Sequence, residues 1–284
     1  MTREKVLLAG ATGYLGQFIT QELIESGYET KIIVRNKGKV KLNAPNLEIV
    51  EAQVTQPDSL KGICNNVDIV ISTVGITRQK DGLTYMDVDY QANANLIDEA
   101  KKSGVKKFIY ISVLNGEKLR NLKICDAKEK LVHYLKSSGL DYCIIRPNGF
   151  FSDMADFLKM AKGGQVYLFG DGKLKLNPIH GKDLAKAVVN AIKQEKKEFD
   201  IGGPDLLSQN EIAALALKAY GKKIKIVHLP DWIRKFALWS VRTFTSSKTY
   251  GPIEFFMTTM VIDMTAPLFG EEKLEDFFNS EAKK

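Results

Sequence analysis

The chain has 284 residues, 44% of them hydrophobic, long enough for one large α/β unit or for a cofactor domain with a smaller companion. Its charge, 41 − 34 = +7, favours anionic ligands or an acidic surface, but the lysines are scattered and no nucleic-acid motif accompanies them, so nucleic acid is not expected as a partner. Cys64, Cys125 and Cys143 are odd in number and far apart without a C-x-x-C, so neither a disulfide framework nor a zinc site is indicated and a reducing, cytoplasmic setting is expected; no leader pattern can be drawn at the N-terminus, and the apolar stretch 253–269 is broken by Glu254, Asp263 and Pro267.

Residues 6–9 are an apolar run without alternation, as suits a parallel strand covered on both faces. Gly10, Gly13 and Gly16 follow in the spacing G-x-x-G-x-x-G, and Phe18, Ile19, Leu23 and Ile24 carry a helix forward to Gly27. A tight turn, a backbone close to a pyrophosphate and a helix packed against its strand each exclude a side chain, and the helix N-terminus presents N–H groups to phosphates. Strand, turn and helix in that order predict dinucleotide binding. Gly10, Thr12, Gly13, Tyr14, Leu15 and Gly16 are the expected contacts.

The block 10–16 resembles the fingerprint of extended and atypical short-chain dehydrogenases/reductases, the NmrA-like branch in particular. Blocks at 89–93, 108–112, 145–147, 178–184 and 201–204 resemble the same family. The resemblance implies a doubly wound parallel sheet (Rossmann, α/β) at 1–155, with 177–203 returning to it, and a small interleaved C-terminal substrate lobe made mostly of 156–284.

A second strand is expected at 30–34. Where an acidic residue would bind a free ribose 2′-hydroxyl, this chain has Arg35, followed by Lys37, Lys39 and Lys41. A cation cluster suits a 2′-phosphate, so NADP(H) is expected over NAD(H); a solvated basic loop is the other reading. A third strand at 47–52 leads to Gln53 and Val54, at positions where relatives face the adenine with an acidic and an apolar residue. A fourth at 67–73 places Thr73, Val74 and Gly75 along the cofactor trench. Arg78 lies in the polar loop that follows, and a long helix then runs to Ala100; the resemblance gives Asn93 a bracing role.

The fifth strand, 107–112, ends at Ser112, where family members hold a substrate oxygen with a serine. On the next helix, 122–135, relatives carry Tyr-x-x-x-Lys. Four residues are roughly one helical turn, so a phenol would sit beside an ammonium that lowers its pKa. Lys128 matches the lysine, but Ile124 stands one turn before it, and a shift to Lys130 gives only Asp126. Lys128 is expected to bind the nicotinamide ribose, with a solvated helix lysine as the alternative. After a sixth strand at 140–145, the resemblance closes the loop holding Pro147 and Asn148 over the nicotinamide. Tyr142, inside that strand, reads as a core residue.

Residues 166–168 and 174–176 flank Gly170-Asp171-Gly172 and predict a hairpin. His180 reads as a packing residue, 183–192 as a helix and 199–204 as the last strand and turn of the cofactor lobe. Ser208 and Glu211 have capping-box spacing. A helix opens at Asp231 with Trp232, Phe236 and Trp239 on one face and Arg234, Lys235 and Arg242 across from them. Cover over a substrate pocket is expected of that face, with peripheral membrane contact or a protein partner as the alternative. Region 164–183 and the ending 274–278 also resemble divinyl-chlorophyllide reductases. The expected activity is an NADP(H)-dependent reductase of a small or medium apolar substrate, with Lys128 and Ser112 at the chemistry and no metal. The alternative is a non-catalytic cofactor-binding sensor, regulator or accessory protein, as among NmrA-like regulators and the related complex I accessory subunit.

Overall fold

Apolar runs that sequence alone marks as doubly covered become the middle of a seven-stranded parallel sheet. The computed structural model describes residues 4–76 and 82–284; Arg78 lies outside them. In chain order, β1 (Lys5–Ala9) leads into α1 (Tyr14–Glu25), followed by β2 (Glu29–Val34), β3 (Leu47–Glu51) and β4 (Ile69–Ser72). A π-helical segment (Met86–Ala92) continues into α2 (Asn93–Lys102), then β5 (Lys107–Ile111), α3 (Lys123–Ser137) and β6 (Asp141–Pro147). The remainder holds α4 (Ala155–Lys162), β7 (Val166–Phe169), β8 (Lys175–Leu176), α5 (Gly181–Asn190), β9 (Glu198–Ile201) and β10 (Leu207–Ser208). It closes with α6 (Gln209–Ala219), β11 (Ile226–Leu229), α7 (Asp231–Phe244), α8 (Ser247–Thr259) and α9 (Leu274–Ala282).

The sheet order is β3-β2-β1-β4-β5-β6-β9, the doubly wound arrangement expected. β1 pairs in parallel with β2 on one side and β4 on the other, so the strand order reverses between β1 and β4. A crevice opens beyond the carboxyl ends of strands at such a point. Gly10 and Thr73, which follow β1 and β4, lie at its mouth. Burial fixes the register: Leu7, Val70, Phe108, Tyr110 and Ile144 are shut off from water and pack with Ile97, Ala100, Leu131 and Leu135 of α2 and α3. Each large apolar side chain so buried contributes about 1.5–3 kcal/mol.

The chain divides into two compact units, Met1–Arg146 with Leu184–Phe199, and Pro147–Asp183 with Asp200–Lys284. In the first, Lys107 at the start of β5 is buried and donates to the carbonyls of Ala191 (2.8 Å) and Ile192 (3.2 Å), holding the turn that follows α5 in the returning segment.

In the second unit the expected hairpin does not form. β7 pairs in parallel with β11, and β8 pairs antiparallel with β10. The reason lies in the turn between them, where Gly170 and Gly172 both take positive φ and Asn210 inserts. Its amide donates to the Asp171 carbonyl (2.9 Å), and a Cβ on Gly172 would lie 2.3 Å from its Oδ1. The strands are thereby sent to different partners. The Ser208 capping box does form, with Glu211 N–H donating to Ser208 Oγ (3.2 Å) and Ser208 N–H to Glu211 Oε2 (2.7 Å).

Candidate functional site

The glycine turn after β1 is built by close approach. Gly10 adopts φ +90, and a Cβ there would sit 2.3 Å from Thr73 Oγ1; one on Gly16 would sit 2.1 Å from the Gly10 carbonyl oxygen. The first and third glycines therefore admit no side chain. Gly13 closes the turn by donating to the Gly10 carbonyl (3.0 Å) and is the N-cap of α1. It brings no side-chain acceptor, and no acidic residue occupies the first turn. The positive end of this 12-residue helix thus lacks the hydroxyl or carboxylate that usually caps it. Such an end suits an anion. Thr12 is exposed, Tyr14 half-buried and Leu15 buried.

Along the crevice, Thr73 Oγ1 donates to the carbonyls of Ala9 (3.2 Å) and Gly10 (3.4 Å), which ties the end of β4 to the glycine turn. Arg35 is exposed just past β2 and makes no ion pair among the described residues. Gln53 is exposed and exchanges backbone hydrogen bonds with Ser59 Oγ (3.0 and 2.8 Å). Val54 is half-buried, with its carbonyl accepting from Asn95 (3.2 Å).

The densest chemistry gathers under Gly75. A Cβ on this exposed glycine would lie 2.6 Å from Asp89 Oδ1 and 2.9 Å from Lys128 Nζ. Those two groups form an ion pair at 2.9 Å, with Asp89 wholly buried and the Lys128 side chain 14% exposed. Tyr110, wholly buried on β5, has its hydroxyl 3.5 Å from Lys128 Nζ, and its ring centroid lies 5.6 Å away. Asp89 Oδ2 accepts from the Ile76 N–H (3.2 Å). Asp89 Oδ1 faces the ammonium but receives no aligned hydrogen bond.

The π-helical segment aims Asp89. Asn93, at its end, donates to the carbonyls of Val88, Asp89 and Val74 (3.1 Å each) and accepts from Ser72 Oγ (2.5 Å). An amide competing for backbone carbonyls loosens a helical turn, and π turns gather at functional sites. Asn93 also ties this turn to the end of β4.

Burial by itself would lower the Lys128 pKa, but the charge of Asp89 and the neighbouring Tyr110 outweigh it and hold the amine above the ordinary lysine range. Lys128 is therefore a permanent cation, fitted to bind oxygens and poorly fitted to release a proton. Burial pushes the Tyr110 phenol up to about 12. Ile124, one turn before Lys128 on α3, is buried.

Ser112 is buried just past β5, and its hydroxyl points to Glu129 Oε1 at 3.4 Å. Glu129 is itself clamped by Arg146 Nη2 (3.1 Å), and Arg146 Nη1 holds Glu198 at 2.6 Å. The hydroxyl thus belongs to a buried salt network. Tyr142 is half-buried against the core under Lys197 (5.4 Å from the ring). Pro147 ends β6. Asn148 is described in the second unit, where it donates to Asn177 Oδ1 (2.9 Å). His180 packs between Phe151 (5.4 Å) and Phe277 (6.3 Å), and its Nδ1 accepts from the Lys182 N–H (3.3 Å). Burial lowers its pKa, as befits a packing histidine.

Nothing local in the sequence marks Asp89 or Tyr110 as site residues. Both lie in blocks that resemble the family, and one signal is available: a phenol within the apolar run 108–111 needs a polar partner.

A family described as NAD(P)H-binding matches residues 10–195, well over half of the chain. A divinyl chlorophyllide a 8-vinyl-reductase of Arabidopsis thaliana is 28% identical over 96% of this chain and 75% of its own length. The photosystem II assembly factor Ycf39 of Synechocystis is 27% identical over 85% of this chain and 74% of its own. These relatives agree with the short-chain dehydrogenase/reductase resemblance of the glycine block. Among solved structures, an NADPH-dependent quinone oxidoreductase of Escherichia coli complexed with NADPH superposes with a TM-score of 0.76 at 18% identity, covering 97% of this chain and 99% of its own; that likeness is one of fold.

Proposed function

Because the chain belongs to the NAD(P)H-binding family, we propose that it is an NADP(H)-dependent reductase of a carbon–carbon double bond in an apolar substrate, working without the usual catalytic tyrosine. The observation that carries the reading is Lys128, fixed as a cation by buried Asp89 one turn beyond an isoleucine. The residues present fit the cofactor: the side-chain-free approach at Gly10 and Gly16 and the uncapped end of α1 suit its pyrophosphate. Arg35 suits a 2′-phosphate, which favours NADP(H) over NAD(H). Gln53 and Val54 would face the adenine. Thr73, Val74 and Gly75 would line the trench, Lys128 would hold the nicotinamide ribose, and Pro147 and Asn148 would belong to the closing loop.

When bound, NADPH would supply a hydride. Reducing an alkene adds that hydride to one carbon and a proton to its neighbour, and no alkoxide forms that a phenol must protonate. A proton from water suffices for the second carbon. Lys128 offers fixed positive charge where negative charge develops on the substrate. Ser112, the other residue expected at the chemistry, has its hydroxyl turned toward Glu129 at 3.4 Å and would reach the substrate only by turning away from that carboxylate. The second unit, taken with the substrate lobe read at 156–284, would hold the substrate. The 8-vinyl-reductase relative supports this choice of bond. Buried Cys64 and Cys125, with thiols pushed up to about 12 by burial, suit a reducing compartment such as the cytoplasm; no helix among the described residues is long and apolar enough to cross a membrane.

The test is single-turnover incubation with NADPH deuterated at C4 and a panel of conjugated vinyl compounds, quinones and secondary ketones. Deuterium on carbon in a reduced vinyl product, with ketones untouched, is the expected result. Tight NADPH binding with no transfer to any acceptor would favour a second reading. That reading is a non-catalytic cofactor-binding protein that acts on a protein partner, supported by buried Ile124 in place of a phenol and by the assembly-factor relative.

A further inference from the structure

Helix α7 does not cover a pocket with its aromatic face. Trp232, Phe236, Trp239 and Phe244 are 65%, 60%, 55% and 76% exposed. They form a ridge, with the rings of Phe236 and Trp239 5.8 Å apart and those of Trp239 and Phe244 6.2 Å apart. Trp232, Phe236 and Trp239 fall on one face at spacings of four and three, and they include both tryptophans of the chain. The helix is held from its other side, by buried Leu238 and by Arg242, whose Nε donates to Glu254 Oε1 of α8 at 2.8 Å. The aromatics are therefore not what keeps α7 in place.

The charge around this ridge is unlike that of the rest of the molecule. Residues 218–248 contain Lys218, Lys222, Lys223, Lys225, Arg234, Lys235, Arg242 and Lys248 against one carboxylate, Asp231, so 8 − 1 = +7. The remaining residues have 41 − 8 = 33 bases and 34 − 1 = 33 acids. Lysines are scattered along the chain, but its entire net charge belongs to the segment that carries the exposed aromatics. Arg234 and Lys235 are paired with Asp231 (2.6 and 3.0 Å). Lys218, Lys222, Lys223 and Lys225 are exposed and meet no carboxylate among the described residues. Ile224, 56% exposed, stands among them. Only the four residues of β11, roughly 13 Å, and Pro230 separate this lysine cluster from the start of α7.

We propose that α7 and the lysines before β11 form a docking surface for a bilayer with anionic headgroups, on which the helix lies in the interfacial plane. Exposed tryptophan and phenylalanine beside unpaired lysines are the composition of helices that settle at the headgroup boundary. The lysines draw the surface to phosphate-bearing lipid, and the ridge enters the boundary. An acidic protein or a second copy of this chain are the competing occupants. This inference does not depend on the reaction proposed above.

The two tryptophans make the test intrinsic. Full-length protein is floated with 100 nm vesicles of phosphatidylcholine alone or with phosphatidylglycerol, at low and high salt, while tryptophan emission is followed. Expected are binding to the anionic vesicles, emission moved to shorter wavelength, quenching by bromine-labelled acyl chains, and affinity at least about tenfold weaker at high salt. The double variant W232A/W239A should float about tenfold less well while binding NADPH as the wild type does, since neither side chain is buried. Equal binding to uncharged vesicles, absence of quenching by brominated chains, or no flotation under any condition would each overturn the proposal. So would concentration-dependent dimerisation that shields the tryptophans in the absence of lipid.

Discussion

Replacing Lys128 with methionine removes the cation that faces buried Asp89 at 2.9 Å while keeping most of the side-chain volume. Breaking one partner of a buried pair typically costs about 3–5 kcal/mol, because the other charge is left uncompensated. Domains are stable by only about 5–15 kcal/mol, so the loss is easily measured. Asp89 has an escape, which is to take up a proton. Burial already pushes its pKa up and Lys128 pulls it back, so in the variant the carboxyl rises further. A carboxyl whose pKa is higher folded than unfolded binds more protons in the native state. Its contribution is complete below the unfolded value and is lost as pH rises toward the folded one. The variant should therefore lose stability with rising pH by up to about 1.4 kcal/mol per unit across that window, which opens near the unfolded aspartate value of about 3.9. Urea midpoints from pH 4.5 to 8 for wild type, K128M and K128M/D89N measure it. K128M should fall away from wild type as pH rises, and the double variant should not. A K128M curve parallel to wild type would show that Asp89 and Lys128 are not coupled and would remove the basis for treating Lys128 as a fixed cation.

The site makes three further predictions. Wild type should bind NADPH at least about tenfold more tightly than NADH and R35A should lose that preference, since a charged hydrogen bond is worth about 1.5–3 kcal/mol; equal calorimetric affinities in the wild type would refute the role of Arg35. Gly16→Ala should abolish binding of both cofactors while circular dichroism still reports a folded sheet, because its Cβ would lie 2.1 Å from the Gly10 carbonyl oxygen. Wild type should oxidise secondary alcohols more slowly than tyrosine-bearing relatives by about 10²- to 10⁴-fold, the usual worth of a positioned acid–base group, and I124Y should recover part of that rate with cofactor affinity unchanged; a wild type already fast on an alcohol panel would show that another group moves the proton.

Where one physical demand dominated, the sequence was readable. The apolar runs of β1, β4 and β5 can only be doubly covered parallel strands, and three glycines spaced between a strand and a helix mark a turn that a phosphate can approach. Of the candidate site, single residues stand out in the sequence only where their position is unusual: Lys128 by its helix, Arg35 by its place after β2. Asp89 was hidden because its burial depends on a π turn, whose cause is the Asn93 amide taking carbonyls that local sequence would assign to an ordinary helix. Tyr110 was hidden because its partner lies 18 residues away. The turn at 170–172 misled because hairpin signals describe the turn and not the partners of its strands; Asn210, far along the chain, decides those. The aromatic stripe of α7 misled because amphipathic spacing reveals a face and not what lies opposite it.

The return of Leu184–Phe199 to the first unit has a consequence for the order in which this protein is made. The sheet lacks its last strand until the chain has grown from Arg146 to Ile201, another 201 − 146 = 55 residues, and Lys107 lacks its carbonyl partners until Ile192 has been added. At about 5–20 residues per second that is roughly 3–10 s of translation. During that interval β6 is an open sheet edge and the lysine a charge without its cap, while most of the glycine turn and the Lys128 cluster already exists. A nascent chain stalled in this window is where a chaperone would find its binding surface, and a fragment cut at Arg146 would keep that unfinished edge permanently.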